Sequence, residues 1–170
     1  SRPPLGTVAL ETAVAIRDQA ERMAGLVGNL LDMARLHAGD VMLQKEWQPI
    51  EEVIGSSIKL LGRALAEYPV KVSLAKGLPL VEFDAVLIER VFCNLLENAA
   101  KYSPPGAGVG IDVASRDGLL EVIVSDNGKG FAPANGSAVF EMFVRGEAES
   151  STPGVGLGLA ICQAIVEVHG

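Results

Sequence analysis

The 170-residue chain has few of the residues that build metal sites and disulfide frameworks: two cysteines, Cys93 and Cys162, and two histidines, His37 and His169. Four such residues make no Cys/His spacing of a zinc site, so zinc is not expected. Both cysteines sit among apolar residues of helical patterns and read as buried free thiols, which suits a cytoplasmic compartment. No apolar run reaches the ~18 residues of a membrane-spanning helix, and the N-terminus lacks the order of basic, apolar and small residues that marks an export signal. The piece is expected to be soluble and not itself exported. Cations are sparse as well: 14 Lys and Arg against 21 Asp and Glu give a net charge of -7. With no run of Lys or Arg to track a phosphate backbone, nucleic acid is an unsuitable partner. Hydrophobic residues, at 49% against 21% charged, supply enough material for a core and rule out a disordered profile. The length allows one domain, or one domain with a helical appendage.

Along the chain, Ala9, Ala13, Ile16, Ala20, Met23, Val27, Leu30 and Ala34 recur at alternating spacings of 4 and 3, and Leu26 and Leu31 widen the stripe. This is a heptad seam. Gly25 and Gly28 weaken the helix by about 1 kcal/mol each relative to Ala, so the seam calls for a partner surface, either a second chain or its own domain. Gly39 caps this helix. A short strand is expected over 41–47, a helix from Pro49 to about Ala66, strands at 70–74 and 78–83, and a helix from the N-cap Asp84 to Ser103-Pro104-Pro105-Gly106. Strands at 109–114 and 119–125 form a hairpin around Arg116-Asp117-Gly118. The chain ends in an apolar helix from Ala160 to His169. Hairpins mixed with helices favour α+β over a parallel α/β sheet.

Two stretches carry polar chemistry. In the helix over 89–103, Ile88, Val91, Phe92, Leu95, Leu96 and Ala99 fall on one side, while Arg90, Asn94, Glu97, Asn98 and Lys101 line the other. Asn94, Asn98 and Lys101 stand at i, i+4 and i+7, a set able to hold a hydrated metal and a polyphosphate, although a solvated helix face also looks like this. Gly154-x-Gly156-x-Gly158 opens a helix and offers free N–H groups with no Cβ in the way, as an anion site does. It is neither a Walker loop, lacking Gly-Lys-Ser/Thr, nor a Rossmann turn, lacking a βαβ unit. Asp126-Asn127-Gly128-Lys129-Gly130, read alone, is a turn.

Taken in order, Asn94-x3-Asn98-x2-Lys101-Tyr102, Asp126-x-Gly128-x-Gly130, Phe140-x2-Phe143 and Gly154-x-Gly156-x-Gly158 resemble the N, G1, F and G2 boxes of the histidine-kinase catalytic domain, within the GHKL ATPases. The resemblance covers residues 41–170, and its wording over 29–36, 94–103 and 153–170 is most similar to the potassium-responsive sensor kinases. It implies a two-layer sandwich of mixed or antiparallel sheet and helices (the Bergerat fold) as an ATP-binding catalytic domain over 41–170. Before it, residues 1–40 would be a partial dimerisation and phosphotransfer segment, with a homodimer formed through the long helix at 8–38.

The resemblance also implies roles. Asn98 would hold the Mg²⁺ that bridges the ATP phosphates, Asn94 would support that network, and Lys101 would contact phosphate. Tyr102 would stack beside adenine, and Asp126 would accept a hydrogen bond from the adenine amino group, with Gly128 and Gly130 letting the loop approach the base. Phe140 and Phe143 would anchor the lid, Arg145 would reach the phosphates, and Gly154, Gly156, Gly158 and Leu159 would form hinge and cradle. Glu97 stands where the ATP-hydrolysing relatives carry a general base and is counted with Asn98 and Lys101 in the catalytic set. The γ-phosphoryl would pass to a His on the dimerisation hairpin and then to an Asp of a cognate response regulator, in the cytoplasmic part of an inner-membrane sensor.

The resemblance stops at two places. Ser1-Arg2-Pro3-Pro4-Leu5 looks like the tail of the acceptor motif His-Asp/Glu-Leu-Arg-x-Pro-Leu with its His absent, and neither His37 nor His169 has that motif around it. Two strands that follow Val-His-Gly in the family are expected to be missing. A GHKL ATPase of another class and a scaffold with a vestigial nucleotide site are the competing readings.

Overall fold

The computed structural model describes residues 9–10, 12–17, 19–20, 23–25, 27–28, 31, 42–130, 140 and 156–170. The described positions from 9 to 31 are helical, and all but Gly28 are exposed. Along the seam, Ile16, Met23 and Val27 show 64%, 66% and 56% of their surface. The continuous helix expected over 8–38 is not among the elements formed by the described residues, because several of its positions, Leu26, Leu30 and Ala34 among them, lie outside that set.

The remaining elements are β1 (Glu46–Gln48), α1 (Ile50–Leu60), β2 (Val70–Leu74), β3 (Val81–Phe83), α2 (Ala85–Tyr102), β4 (Val109–Arg116), β5 (Leu119–Ser125) and α3 (Gly158–His169). Strands β1 and β3 pair antiparallel, while β2, β4 and β5 form a second sheet in the order β2-β4-β5. In that sheet β4 and β5 are antiparallel, but β2 lies parallel to β4, with Val70 opposite Val109 and Leu74 opposite Val113. The architecture is thus mixed α/β, with one parallel pair in a set otherwise made of antiparallel pairs. The parallel pair follows from the connection: β2 reaches β4 only after β3 and the 18-residue α2, a crossover long enough to return the chain in the same direction.

Helix α2 begins where its sequence says it should. Asp84 Oδ1 accepts from the backbone N–H groups of Val86 and Leu87 at 3.1 and 3.2 Å, satisfying two donors that the helix cannot bond internally. Ser103 ends it before Pro104-Pro105. Helix α1 stops at Leu60, short of Ala66, and residues 61–67 continue as turns. The tightening shows in the Gly62 N–H, which bonds Lys59 O three residues back at 3.3 Å, as suits a residue with low helix propensity. The hairpin turn has Asp117 at φ 53° and Gly118 at φ 80°, the two positive values of a type I′ turn.

Two apolar clusters meet on α2. Phe92, Leu96 and Ala99 pack with Ile50, Val53 and Ile54 of α1 and with Val109, Ile111 and Val113 of β4. Val91 instead packs with Leu157, Ala160, Ile161, Cys162 and Ile165 at α3. Leu96, Ile111, Ile161 and Ile165 are fully buried. Held on two sides, α2 leaves its polar row as the remaining strip. Among the described residues, no helix is long and apolar enough to cross a membrane.

Candidate functional site

The row on α2 is partly covered, which distinguishes it from a solvated helix face. Asn94, Asn98, Lys101 and Tyr102 are all half-buried. The N-terminus of α3 comes down onto the two amides: a Cβ added to Gly158 would stand 3.7 Å from Asn94 Oδ1 and 3.8 Å from Asn98 Nδ2. Gly156, two residues earlier, has φ +71°, a left-handed conformation that favours glycine. Leu157 is buried in the cluster between α2 and α3 and fixes where the helix starts, while Leu159 in its first turn is half-buried. Free N–H groups at this helix end therefore lie next to the Asn94 and Asn98 side chains.

Asn94 Nδ2 is buried and has no hydrogen-bond partner. A buried amide N–H without an acceptor is costly, and it is also a donor held ready for an anionic or hydrated group. The neighbouring Cys162 sulfur is at most a weak acceptor for it, the thiol keeping its proton and donating to Val91 O at 3.7 Å. Burial pushes its pKa up to about 12, a rise that the Asn94 amide, its backbone and Arg90 oppose only in part. Cys162 is buried as expected, whereas Cys93 is only half-buried, its thiol also raised by desolvation. Both cysteines are free.

The turn after β5 closes on the other end of the row. Gly128 N–H donates to Asp126 Oδ1 at 2.7 Å, and Asn127 Nδ2 donates to Gly108 O at 2.7 Å, which ties the turn to the start of β4. A Cβ on Gly128 would lie 2.7 Å from Asp126 Oδ1 and 2.9 Å from Tyr102 O, so only glycine lets the turn sit this close to the end of α2. Gly130 adopts φ +67°. Lys101 Nζ donates to Tyr102 Oη at 2.8 Å and stands 4.5 Å from the centroid of that ring, so cation and aromatic are held together beside the turn. Glu97 reaches solvent, yet partial burial of its carboxyl raises its pKa above the usual range.

The structure thus brings Asn94, Asn98 and Gly158 together at one place and Tyr102, Asp126 and Gly128 at another, with Lys101 on the same helix end. Phe140 is described and exposed. Phe143, Arg145 and Gly154 lie outside the described residues. Neither spacing nor the resemblance assigns Asn127 a role, although an Asn inside an Asp-Asn-Gly turn is a recognisable source of such a side-chain to backbone bond.

Residues 83–170 match the sequence model of the histidine kinase-, DNA gyrase B- and HSP90-like ATPases. The chain belongs to that family. It is 48% identical over 158 residues to the sensor protein KdpD of Escherichia coli, spanning 93% of this chain and 18% of that protein. To the signal transduction histidine-protein kinase/phosphatase MprB of Mycolicibacterium vanbaalenii it is 40% identical, spanning 89% of this chain and 31% of that one. Among solved structures, a mycobacterial sensor histidine kinase MprB matches with TM-score 0.66 at 37% identity, covering 74% of this chain and 80% of its own. The full-length ShkA structure in complex with AMPPNP matches with TM-score 0.80 at 25% identity, covering 98% of this chain and 35% of its own. The chain is a histidine-kinase ATPase domain closely related to the KdpD and MprB sensor kinases, and it spans under a third of the length of the KdpD and MprB proteins named here.

Proposed function

We propose that this chain is the ATP-binding catalytic part of a KdpD-like sensor histidine kinase. In the whole protein the γ-phosphoryl of ATP would pass to a His on a dimerisation hairpin and from there to an Asp of a response regulator of the KdpE kind. The observation that carries the reading is the convergence on α2: the Gly158 helix end at Asn94 and Asn98, and the Asp126–Gly128 turn at Tyr102.

In this reading the polyphosphate lies along the row between the two turns. Asn98 holds Mg²⁺ through its amide oxygen, a neutral hard donor suited to an ion that keeps several waters and leans on the nucleotide's charge. The metal, when bound, supplies neutralisation of the phosphate oxygens. The residues present fit a metal-bound polyphosphate: Asn94 keeps an unpartnered buried N–H for a phosphate oxygen, Gly158 offers no Cβ to block its approach, and the Asn98 amide oxygen is the neutral donor that would face the metal. Lys101 leaves the Tyr102 hydroxyl to meet phosphate, and Tyr102 lies against adenine. Arg145, Phe140, Phe143 and Gly154 complete the lid and hinge. Self-association through the 8–38 segment is part of the proposal, supported by the exposed seam residues Ile16, Met23 and Val27.

The second reading is ATP hydrolysis without transfer to His. The raised pKa of the Glu97 carboxyl favours it, because a carboxylate made more basic is better suited to take a proton from water.

Base choice tests the nucleotide assignment. Asp126, held by Gly128 N–H through one oxygen, keeps its other oxygen to accept from the adenine amino group, a donor that guanine does not present at that position. Calorimetry should therefore give tighter binding of Mg-ATP than of Mg-GTP, by roughly tenfold or more, since the mismatch leaves a charged acceptor unpaired. Equal affinity would remove Asp126 from base recognition.

A further inference from the structure

His169 ends α3, far from the glycine loop at the other end of that helix, and its ring is bonded on both sides. Asp84 N–H donates to His169 Nε2 at 3.1 Å, and His169 Nδ1 lies 2.7 Å from Ile165 O. A backbone N–H only donates and a carbonyl only accepts, so Nε2 is the bare acceptor and Nδ1 carries the proton. The ring is therefore neutral and in a defined tautomer. Its surroundings are equally tied. Asp84 Oδ2 accepts from Gln44 N–H at 3.0 Å while Oδ1 caps α2, and Lys45 Nζ donates to His169 O at 2.8 Å. Three parts of the chain, 44–45, 84 and 169, close into one hydrogen-bonded knot at the start of α2.

This knot bears on the nucleotide site through helix register. α3 runs antiparallel to α2, with His169 at Asp84 and Gly158 at Asn94 and Asn98. His169 is eleven residues from Gly158, and eleven residues from Asp84 along α2 is Leu95, inside the interval from Asn94 to Asn98. At about 1.5 Å per residue both legs measure roughly 16 Å. A tether at one end of two helices of equal leg length fixes the height at which the other ends meet. The apolar contacts of Ile161 and Ile165 with α2 hold the helices together but tolerate sliding better than a pair of directional bonds does.

We propose that His169 is a positioning residue for the nucleotide site: as a neutral Nδ1–H ring it latches the end of α3 to the N-cap of α2 and thereby holds the Gly158 helix end at the height of Asn94 and Asn98. The proposal rests on the nucleotide reading above and adds a residue to it that does not touch the ligand.

The test uses the 170-residue chain labelled with ¹⁵N, unchanged and as His169→Leu and His169→Gln; the glutamine keeps an amide oxygen to accept from Asp84 N–H. Long-range proton–nitrogen spectra of the unchanged chain should show His169 protonated on Nδ1 and bare on Nε2. Without nucleotide, the Gly158 amide and the Asn94 and Asn98 side-chain amide signals should move in His169→Leu and return towards their original positions in His169→Gln. With Mg-ATP as the probe, the leucine variant should bind about tenfold more weakly and the glutamine variant within about threefold of the parent. An Nε2–H tautomer would overturn the latch. So would a leucine variant with a lower melting temperature but unmoved Gly158 and Asn signals and unchanged affinity, because the residue would then serve stability alone. Failure of the unchanged chain to bind Mg-ATP would refute the nucleotide reading instead, and the latch would then be decided by the nucleotide-free spectra and the tautomer.

Discussion

Replacing Gly128 by alanine should weaken Mg-ATP binding by roughly 5- to 150-fold, the equivalent of about 1–3 kcal/mol of overpacking. The added methyl would stand 2.7 Å from Asp126 Oδ1 and 2.9 Å from Tyr102 O, closer than real Cβ atoms approach oxygen. A side-chain oxygen can rotate away, although here that breaks its bond with Gly128 N–H. The Tyr102 carbonyl is backbone at the end of α2 and has no such freedom, so the turn must lift off the helix. Lifting it separates Asp126 from Tyr102, the two residues assigned to the base. Gly158→Ala separates folding from binding, since its methyl would meet Asn94 and Asn98 only at ordinary contact distance and leave the fold intact, so that any loss of affinity there comes from a Cβ standing where the phosphates lie. Calorimetric titration of both variants reads the difference. Equal affinities for Gly128→Ala and the parent would mean that the turn does not carry the base.

Asn98→Ala should abolish the part of ATP binding that depends on Mg²⁺. The side chain is half-buried on the polar row of α2, with its Nδ2 3.8 Å from the place of a Gly158 Cβ, and it supports neither apolar cluster. Alanine also favours the helix, so the fold should persist. What is lost is a neutral oxygen donor for the metal. In the parent, adding Mg²⁺ to a chelator-treated sample should strengthen ATP binding by about tenfold or more. In the variant the affinities with and without Mg²⁺ should converge on the weaker value. An undiminished metal effect would transfer the metal to other residues.

Much of the scaffold behind these effects is legible in the sequence because its causes are local. Asp84 caps α2, the double proline after Ser103 ends it, and Asp117-Gly118 selects a hairpin turn with two positive φ values; each is a property of a few adjacent residues. Although burial does not follow their alternation, with Val72 and Leu74 exposed and Val70 and Ser73 half-buried, the alternating apolar residues likewise make the bounds of β2, Val70–Leu74, legible. Its parallel pairing with β4 is not, since a half-buried strand alternates in the same way whichever direction its neighbour runs. The early end of α1 escapes a periodicity argument as well, because Leu61 and Leu65 keep the apolar spacing while the chain around Gly62 tightens into turns.

The site divides along the same line. The residue types and their spacing identify Asn94, Asn98, Lys101, Tyr102, Asp126 and the glycines, and the resemblance to a family assigns their roles. What spacing does not contain is that Asn94 keeps an unpartnered buried donor, that Lys101 rests on the Tyr102 hydroxyl, or that Gly128 touches a carbonyl of α2. His169 is the plainest case. In the sequence it is the end of an apolar helix without a phosphoacceptor motif, and its partner Asp84 is 85 residues away. Contacts of that separation come from packing α3 against α2 and have no counterpart in a local pattern.

The activity proposed for the domain is transfer of phosphoryl to histidine. It is tested most directly by incubating this chain with Mg²⁺, γ-labelled ATP and a separately supplied dimerisation hairpin that carries the acceptor His. Label should appear on the hairpin, be lost in acid and retained in alkali, and vanish when the acceptor His is replaced. Release of labelled inorganic phosphate at the same rate with or without the hairpin, with no label on the hairpin, would contradict it and leave ATP hydrolysis as the activity of the domain.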